Sequence, residues 1–265
     1  CSPTRSSIMS GQDPARTGFT SAAGHVMAVN LEKTLAPNAR PDHKVRTPKS
    51  VSRLDPRYTT LAEVIHEAGY VTGHFGKWHL GDEEGRYPTD QGFDEWYGIP
   101  NSSDQAFWPD SDSFQKDAGV EFTHVMESKR GQKPKKKDVY GREKRKTIDR
   151  EITDRAIDFI KRQAKAGKPF FAYLPYTQTH EPVDAHPDFK GSTGNGSFAD
   201  VLAQTDSYVG ELLKTIDNLG FKDNTIFIFT SDNGREGIKR SFGFTGPWRG
   251  KMFAPYEGSL RVPFL

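Results

Sequence analysis

Three short stretches of the sequence carry side chains whose types and spacing could do chemistry. Cys1 heads the segment Cys1-Ser2-Pro3-Thr4-Arg5, and Pro3 and Gly11 punctuate a helix whose N-terminus the cysteine would share. The positive end of the peptide dipoles favours anions there. A lone cysteine is ordinarily a small buried apolar residue, so its neighbours must decide what it does. Lys77 and His79 flank Trp78. In an extended segment, residues two apart point to the same side, so both side chains would point the same way. Asp232 and Asn233 offer a carboxylate and an amide oxygen side by side. Such donors suit a hard divalent cation, and oxygen-only ligands favour calcium.

The elements that must hold these residues can be read from periodicity and punctuation. Ser2 can cap the first helix and Gly11 close it. A second helix fits Thr59 to Glu67, ended by Gly69, and Tyr70 to Gly76 reads as a buried strand. Residues 20–56 and 81–123 are rich in loop-forming residues. A long helix fits Ile148 to Ala166, with Ile152, Ala156, Phe159 and Ile160 at helical spacing. Gly167-Lys168-Pro169 ends it before the apolar strand Phe170 to Leu174. Another helix runs from about Phe198 to Leu219 and stops at Gly220. Thr225 to Thr230 is the clearest strand pattern in the chain, and Arg261 to Leu265 reads as another. Helices alternating with continuous apolar strands predict an α/β fold, a largely parallel sheet with helices on both faces. Ligands of such sheets bind beyond the carboxyl ends of the strands. His79, His180 and Asp232 each fall just after a predicted strand, so three strand ends converge on one rim.

Composition narrows the classes. A chain of 265 residues, 34% hydrophobic and 27% charged, fits one globular domain over residues 1–265. No apolar run is long enough to span a membrane. A net charge of +2 gives no reason to expect a nucleic-acid partner, and a single cysteine precludes an internal disulfide. One segment departs from this balance. Lys129, Arg130, Lys133, Lys135, Lys136, Lys137, Arg142, Lys144, Arg145 and Lys146 face only Asp138 and Glu143. Two readings stand: a solvated loop or hairpin, or a field that attracts a polyanionic substrate.

The motifs themselves resemble those of the type I, formylglycine-dependent sulfatases of the alkaline phosphatase superfamily. Cys1 to Arg5 matches the signature C-x-P-x-R. Gly69 to Gly81 is similar to the second signature, G-Y-x-T-x-x-x-G-K-W-H-L-G. Gln91 to Gly98 looks like the family's G-F-D-x-x-x-G turn, and Pro169 to Pro182 like the strand that delivers a catalytic histidine. Ser231-Asp232-Asn233-Gly234 resembles its metal-binding strand end, and Tyr256 to Pro263 the segment after it. The resemblance covers nearly the whole chain, thinnest over residues 20–56 and 99–147.

What the resemblance implies is specific. The cysteine is oxidised to formylglycine by a maturation enzyme, and its hydrate attacks the sulfur of a sulfate ester in covalent catalysis. Arg5 and Lys77 would stabilise accumulating negative charge, and His79 would serve the hydrate. His180 would protonate the departing alcohol. Cys1, Asp232 and Asn233 would hold one calcium ion, which polarises sulfate oxygens. Lys77, His180 and Lys251 would touch substrate. Lys251 lies one residue further from the Y-E-G turn than usual, and Arg249 is its substitute. The family's two aspartates before the cysteine are not in this sequence. The chain therefore reads as an internal stretch, lacking an N-terminal metal-binding strand and a C-terminal part. A phosphatase or phosphonate-ester hydrolase of the same superfamily, or a non-catalytic protein that binds sulfated glycans, remains an alternative. Periplasmic or secreted location is the family expectation. His25, His43, His66, His74, His124 and His186 match no motif and read as surface or loop histidines.

Overall fold

Five strands pair in the order β4-β3-β2-β1-β5 in the computed structural model, which describes residues 1–19, 22–23, 51–106, 108, 122–236, 243–252 and 254–265. The strands are β1 (Val71–Lys77), β2 (Glu95–Ile99), β3 (His124–Lys129), β4 (Lys135–Val139) and β5 (Phe170–Tyr173). β1 is the centre of a parallel trio, with Gly73 opposite Glu95 of β2 and Val71 opposite Phe170 of β5. β3 and β4 add antiparallel strands beyond β2, so the sheet is mixed.

Helices cover both faces, as the alternating pattern predicts. On one face lie α1 (Ser2–Ser10), the short α2 (Pro14–Thr17) and α3 (Leu61–Glu67). α3 begins at a full capping box, in which Thr60 accepts from Glu63 N and the Glu63 carboxylate accepts from Thr60 N. Met9, Phe19, Leu54, Trp78 and Phe93 fill this side of the core. On the other face α4 (Arg142–Ala166) packs on β1, β2 and β5, with α5 (Ser197–Asn218) behind it. Ile148, Ile152, Ala156, Phe159 and Ile160 form the buried stripe that meets Phe75, Tyr97 and Ile99. Gly167, in the left-handed conformation at φ 63°, ends α4. A last turn, α6 (Glu257–Leu260), follows the 243–252 segment. Among the described residues no helix is long and apolar enough to cross a membrane.

Several expectations need correction. Cys1, not Ser2, occupies the N-cap position of α1; Ser2 is already helical, and its hydroxyl accepts from Ala23 N at 2.9 Å. β2 lies within the stretch read as loop, because five residues between Asp94 and Pro100, one of them glycine, give too short a pattern to stand out. The basic segment is the expected hairpin only in part, and it is not wholly solvated. Its first part is the β3–β4 hairpin, whose outer strand is exposed throughout, and its last residues open α4 at Arg142 rather than at Ile148. Arg145 is fully buried. His74, read as a surface or loop residue, is fully buried on β1 among Trp78, Phe93, Trp96 and Tyr173. Thr225 to Thr230 is apolar but belongs to no strand of the sheet. Phe227 packs against the α4-side core, but among the described residues the segment's ladder-type backbone bonds reach only the end of the chain, through a Thr230–Phe264 bridge and reciprocal 3.0 Å bonds between Phe229 and Leu265. Apolarity makes a strand only where a neighbour accepts its backbone bonds. His25 and His43 lie outside the described residues.

Candidate active site

Three parallel strand ends and the first turn of α1 meet at one rim of the sheet. β1 extends past Lys77 by bonding on both sides: Lys77 N donates to Pro175 O, Trp78 N to Ile99 O and His79 N to Pro100 O, at 2.8–2.9 Å. Glycine permits this closeness. A Cβ on Gly76 would lie 2.1 Å from Pro175 O, and one on Gly98 would lie 1.9 Å from Gly76 O. Trp78 therefore sinks into the α1–α3 side of the core, while the strand end brings Lys77 and His79 into buried positions at the rim.

Lys77 stands between the two chemical ends of the cleft. Its Nζ lies 3.7 Å from Cys1 Sγ and donates to Ser102 Oγ at 2.9 Å. Ser102 Oγ in turn lies 3.3 Å from His180 Nε2. Cys1, Lys77 and His180, far apart in sequence, are thus joined in one chain of contacts. Burial, with Arg5 nearby, lowers the Lys77 pKa to about 7.

At the Cys1 end, Arg5 Nε and Nη2 both donate to Asp232 Oδ2, at 3.1 and 2.9 Å, and Nη1 donates to Lys77 O at 2.9 Å. Thr4 Oγ1 donates to Asp232 O at 2.6 Å, and the Cys1 backbone nitrogen donates to Asn233 Oδ1 at 3.0 Å. The Ser231–Gly234 turn is therefore laced to the first turn of α1. Burial alone would raise the Asp232 pKa; Arg5 overrides it and holds the carboxyl well below the usual range. An ionised carboxylate beside an amide oxygen fits a hard cation such as calcium. Among the described residues no group of three or more His, Cys, Asp or Glu side chains gathers as a metal cage, so these are partial donors.

At the other end, His180 sits on an irregular stretch after β5. Its Nδ1 donates to Glu181 O at 2.7 Å, which leaves Nε2 facing Ser102 and Glu236 Oε1, the latter at 3.3 Å. Burial and then the Lys77 charge pull its pKa down to about 4. His79 adopts φ 64°, unusual for a residue with a side chain, and its Nε2 donates to Ala23 O at 3.0 Å. Its Nδ1 is buried without a partner among the described residues. Burial and Lys77 keep this imidazole neutral.

Lys251 is not gathered in. It is exposed, and no hydrogen bond or ion pair ties it to Cys1, Lys77 or His180 among the described residues. Arg249 lies over the Tyr256 ring at 4.3 Å instead. Three cleft residues escape sequence reasoning, among them Asp104, whose Oδ1 lies 3.9 Å from His180 Nε2. Ser102 follows β2 at the same rim, and recognising that strand would have exposed it. Glu236, four residues beyond Asp232, had no signal.

Comparison with known proteins gives the family. The family model described as Sulfatase matches residues 1–265. N-acetylgalactosamine-6-sulfatase of Canis lupus familiaris is 31% identical over 267 residues, covering 100% of this chain and 47% of that protein. Arylsulfatase G of Rattus norvegicus is 28% identical over 293 residues, covering 100% and 50%. The crystal structure of a sulfatase from Pseudoalteromonas sp. superimposes with a TM-score of 0.79 at 25% identity, covering 100% of this chain and 51% of that one. The chain spans about half the length of the curated relatives it matches. With a family match from end to end, the chain belongs to the sulfatase family.

Proposed function

We propose that the full-length protein is a sulfuric ester hydrolase that releases inorganic sulfate from an aryl or carbohydrate sulfate, with Cys1 as the precursor of its nucleophile. The observation that carries this reading is the chain of contacts from Cys1 Sγ through Lys77 Nζ and Ser102 Oγ to His180 Nε2. It links a candidate nucleophile to a candidate proton donor through a buried lysine, which supports an in-line displacement of a sulfuryl group. Oxidised to formylglycine by its maturation enzyme, Cys1 would offer the oxygen of a hydrated aldehyde. Asp232 and Asn233 would be among the donors to a calcium ion, which when bound polarises the sulfate.

The chain's own groups do the rest. Lys77 and Ser102 bind sulfate oxygens, and Arg5 fixes the Asp232 carboxylate while adding positive charge behind the site. His180 presents Nε2 to the leaving oxygen. Burial and then the Lys77 charge depress its pKa, and an anionic ester placed between the two would favour the imidazolium that gives up the proton. His79, neutral and with Nδ1 unpartnered, accepts the proton from the hydrate in the second half-reaction. The galactosamine and aryl substrates named for relatives make a sugar or aryl alcohol the natural leaving group.

The test is sulfate release by full-length protein, co-produced with a maturation enzyme, from aryl, steroid and polysaccharide sulfates, beside matched phosphate esters. Sulfate turnover with an aldehyde at Cys1 in the peptide mass is expected. Faster turnover of phosphate, or full activity with an unmodified thiol, would overturn the reading.

A further inference from the structure

The stretch that carries His180 has neither helical nor ladder bonds of its own, yet its first residues are buried. Thr177 is 1% and Gln178 7% exposed. Buried backbone groups must find partners, and here α4 supplies them from two charged residues one turn apart. Arg145 Nη2 donates to the carbonyls of Thr177 at 2.9 Å and His180 at 2.6 Å, and to Gln178 Oε1 at 3.0 Å. Its Nε donates to Pro182 O at 3.2 Å, and its Nη1 to the Thr177 hydroxyl. Asp149 answers with the opposite polarity, accepting from Thr177 N at 3.0 Å, Thr177 Oγ1 at 2.7 Å and Gln178 N at 2.9 Å. Residues 177, 178, 180 and 182 are thus gripped from behind.

These are expensive groups for a core. Arg145 is 0% and Asp149 2% exposed, and well-packed apolar side chains would commonly serve stability as well or better. The Arg145 bonds go to the neutral acceptors of one loop and to Tyr140, whose hydroxyl lies 2.9 Å from Ser103 Oγ. Ser103 adjoins Ser102, the residue that touches both Lys77 and His180. The same guanidinium therefore braces the backbone beneath the histidine and the segment opposite it.

We propose that Arg145 and Asp149 are positioning residues for His180: by fixing the carbonyls on both sides of it they set where Nε2 meets the leaving oxygen. This rests on the general-acid reading of His180. Neither residue touches substrate. Misplacing a proton donor by about 1 Å can cost on the order of a hundredfold, and the loss falls on alcohols that leave poorly, because an activated leaving group needs little protonation.

The experiment uses full-length, matured enzyme and a series of sulfate esters from nitrophenyl to sugar, with Arg145→Lys, Asp149→Asn and His180→Ala. Arg145→Lys keeps the charge but loses the fork. The expected result is a drop in kcat of about a hundredfold on the sugar ester and of under about threefold on nitrophenyl sulfate, with KM little changed. The dependence of log kcat on leaving-group pKa should steepen towards that of His180→Ala. Arg145→Lys added to His180→Ala should cost almost nothing more. Equal losses on all esters, or full additivity with His180→Ala, would make the pair merely structural and overturn the inference. If Arg145→Lys does not fold, Asp149→Asn, nearly isosteric, reads the same ratio. A His180→Ala profile without leaving-group dependence instead overturns the general-acid reading, whatever the Arg145 variants do.

Discussion

The two sides of the cleft are built on opposite plans. On the Cys1 side, charged side chains meet each other at the rim: Arg5 grips Asp232, and Lys77 stands 3.7 Å from the sulfur. On the His180 side, the rim holds an imidazole, Ser102 and Glu236, and the strongest cation is behind the loop, bonded to main-chain carbonyls. Charge at the rim can act on a ligand directly. Charge behind the loop acts through the geometry it imposes and through its field on His180. The two sides should therefore fail differently when they are cut.

The largest effect is expected on the Cys1 side. Asp232→Ala removes a cation donor and leaves Arg5, largely buried, without its carboxylate. Turnover should fall by about a thousandfold or more, with a stability loss of roughly 3 kcal/mol. Metal content and turnover of the full-length protein are the readouts, and a variant that keeps its metal would break the comparison.

His180→Ala comes next. It should lose about 10²–10⁴-fold on esters of poorly leaving alcohols, much less on nitrophenyl sulfate, and should retain its metal. Equal metal loss in both variants would mean that the two sides are not separable.

A smaller, pH-dependent effect tests the floor beneath the Cys1 side. Burial, with Arg5 nearby, keeps His74 well below its usual value of 6.5. The unfolded chain takes up the proton first, so stability should be unaffected above that value and should fall as pH drops through 6.5 and below. His74→Leu should change stability at pH 7 by under about 1.5 kcal/mol. It should also flatten the decline between pH 7 and 5, read as the urea midpoint. An unchanged slope would assign acid sensitivity to His79 and His180, which share the depression.

The smallest effect is expected furthest from either side. Lys135, Lys136 and Lys137 lie on the exposed edge strand, and Lys137 pairs with Glu127 at 3.1 Å. Changing all three to Gln should alter stability by about 0.5 kcal/mol or less and leave small aryl sulfates untouched. A loss confined to polysulfated glycans and fading over a screening length of about 10 Å at 0.1 M salt would instead extend the anion-attracting side out to the hairpin.

The same contrast explains which parts of the cleft are legible in the sequence. Cys1, Arg5, Lys77, His79, Asp232 and Asn233 announce themselves because rim chemistry is local: each sits in a short motif or just past an apolar run. The core-facing stripe of α4 is legible for a similar reason, since Ile148 to Ile160 repeats within one segment. Arg145 is hidden in plain view, one of ten cations in a run whose other members are largely exposed or paired at the surface. Nothing in sequence marks the one that turns inward, because its partners are carbonyls more than thirty residues away. Ser102 is hidden behind β2, too short to stand out. Thr225 to Thr230 misleads in the other direction, with a strong strand pattern and no sheet neighbour among the described residues.

Gly76 and Gly98 carry a consequence for how this site tolerates change. Their bare backbones stack so closely, with Pro175 alongside, that the ends of β1, β2 and β5 behave as one part. A methyl at either position would not merely strain a strand; it would wedge Lys77 away from Ser102 and from the His180 loop together. Sequence drift that most of the sheet could absorb piecemeal has no gradual route there: the three tips keep their spacing or lose it in a single step.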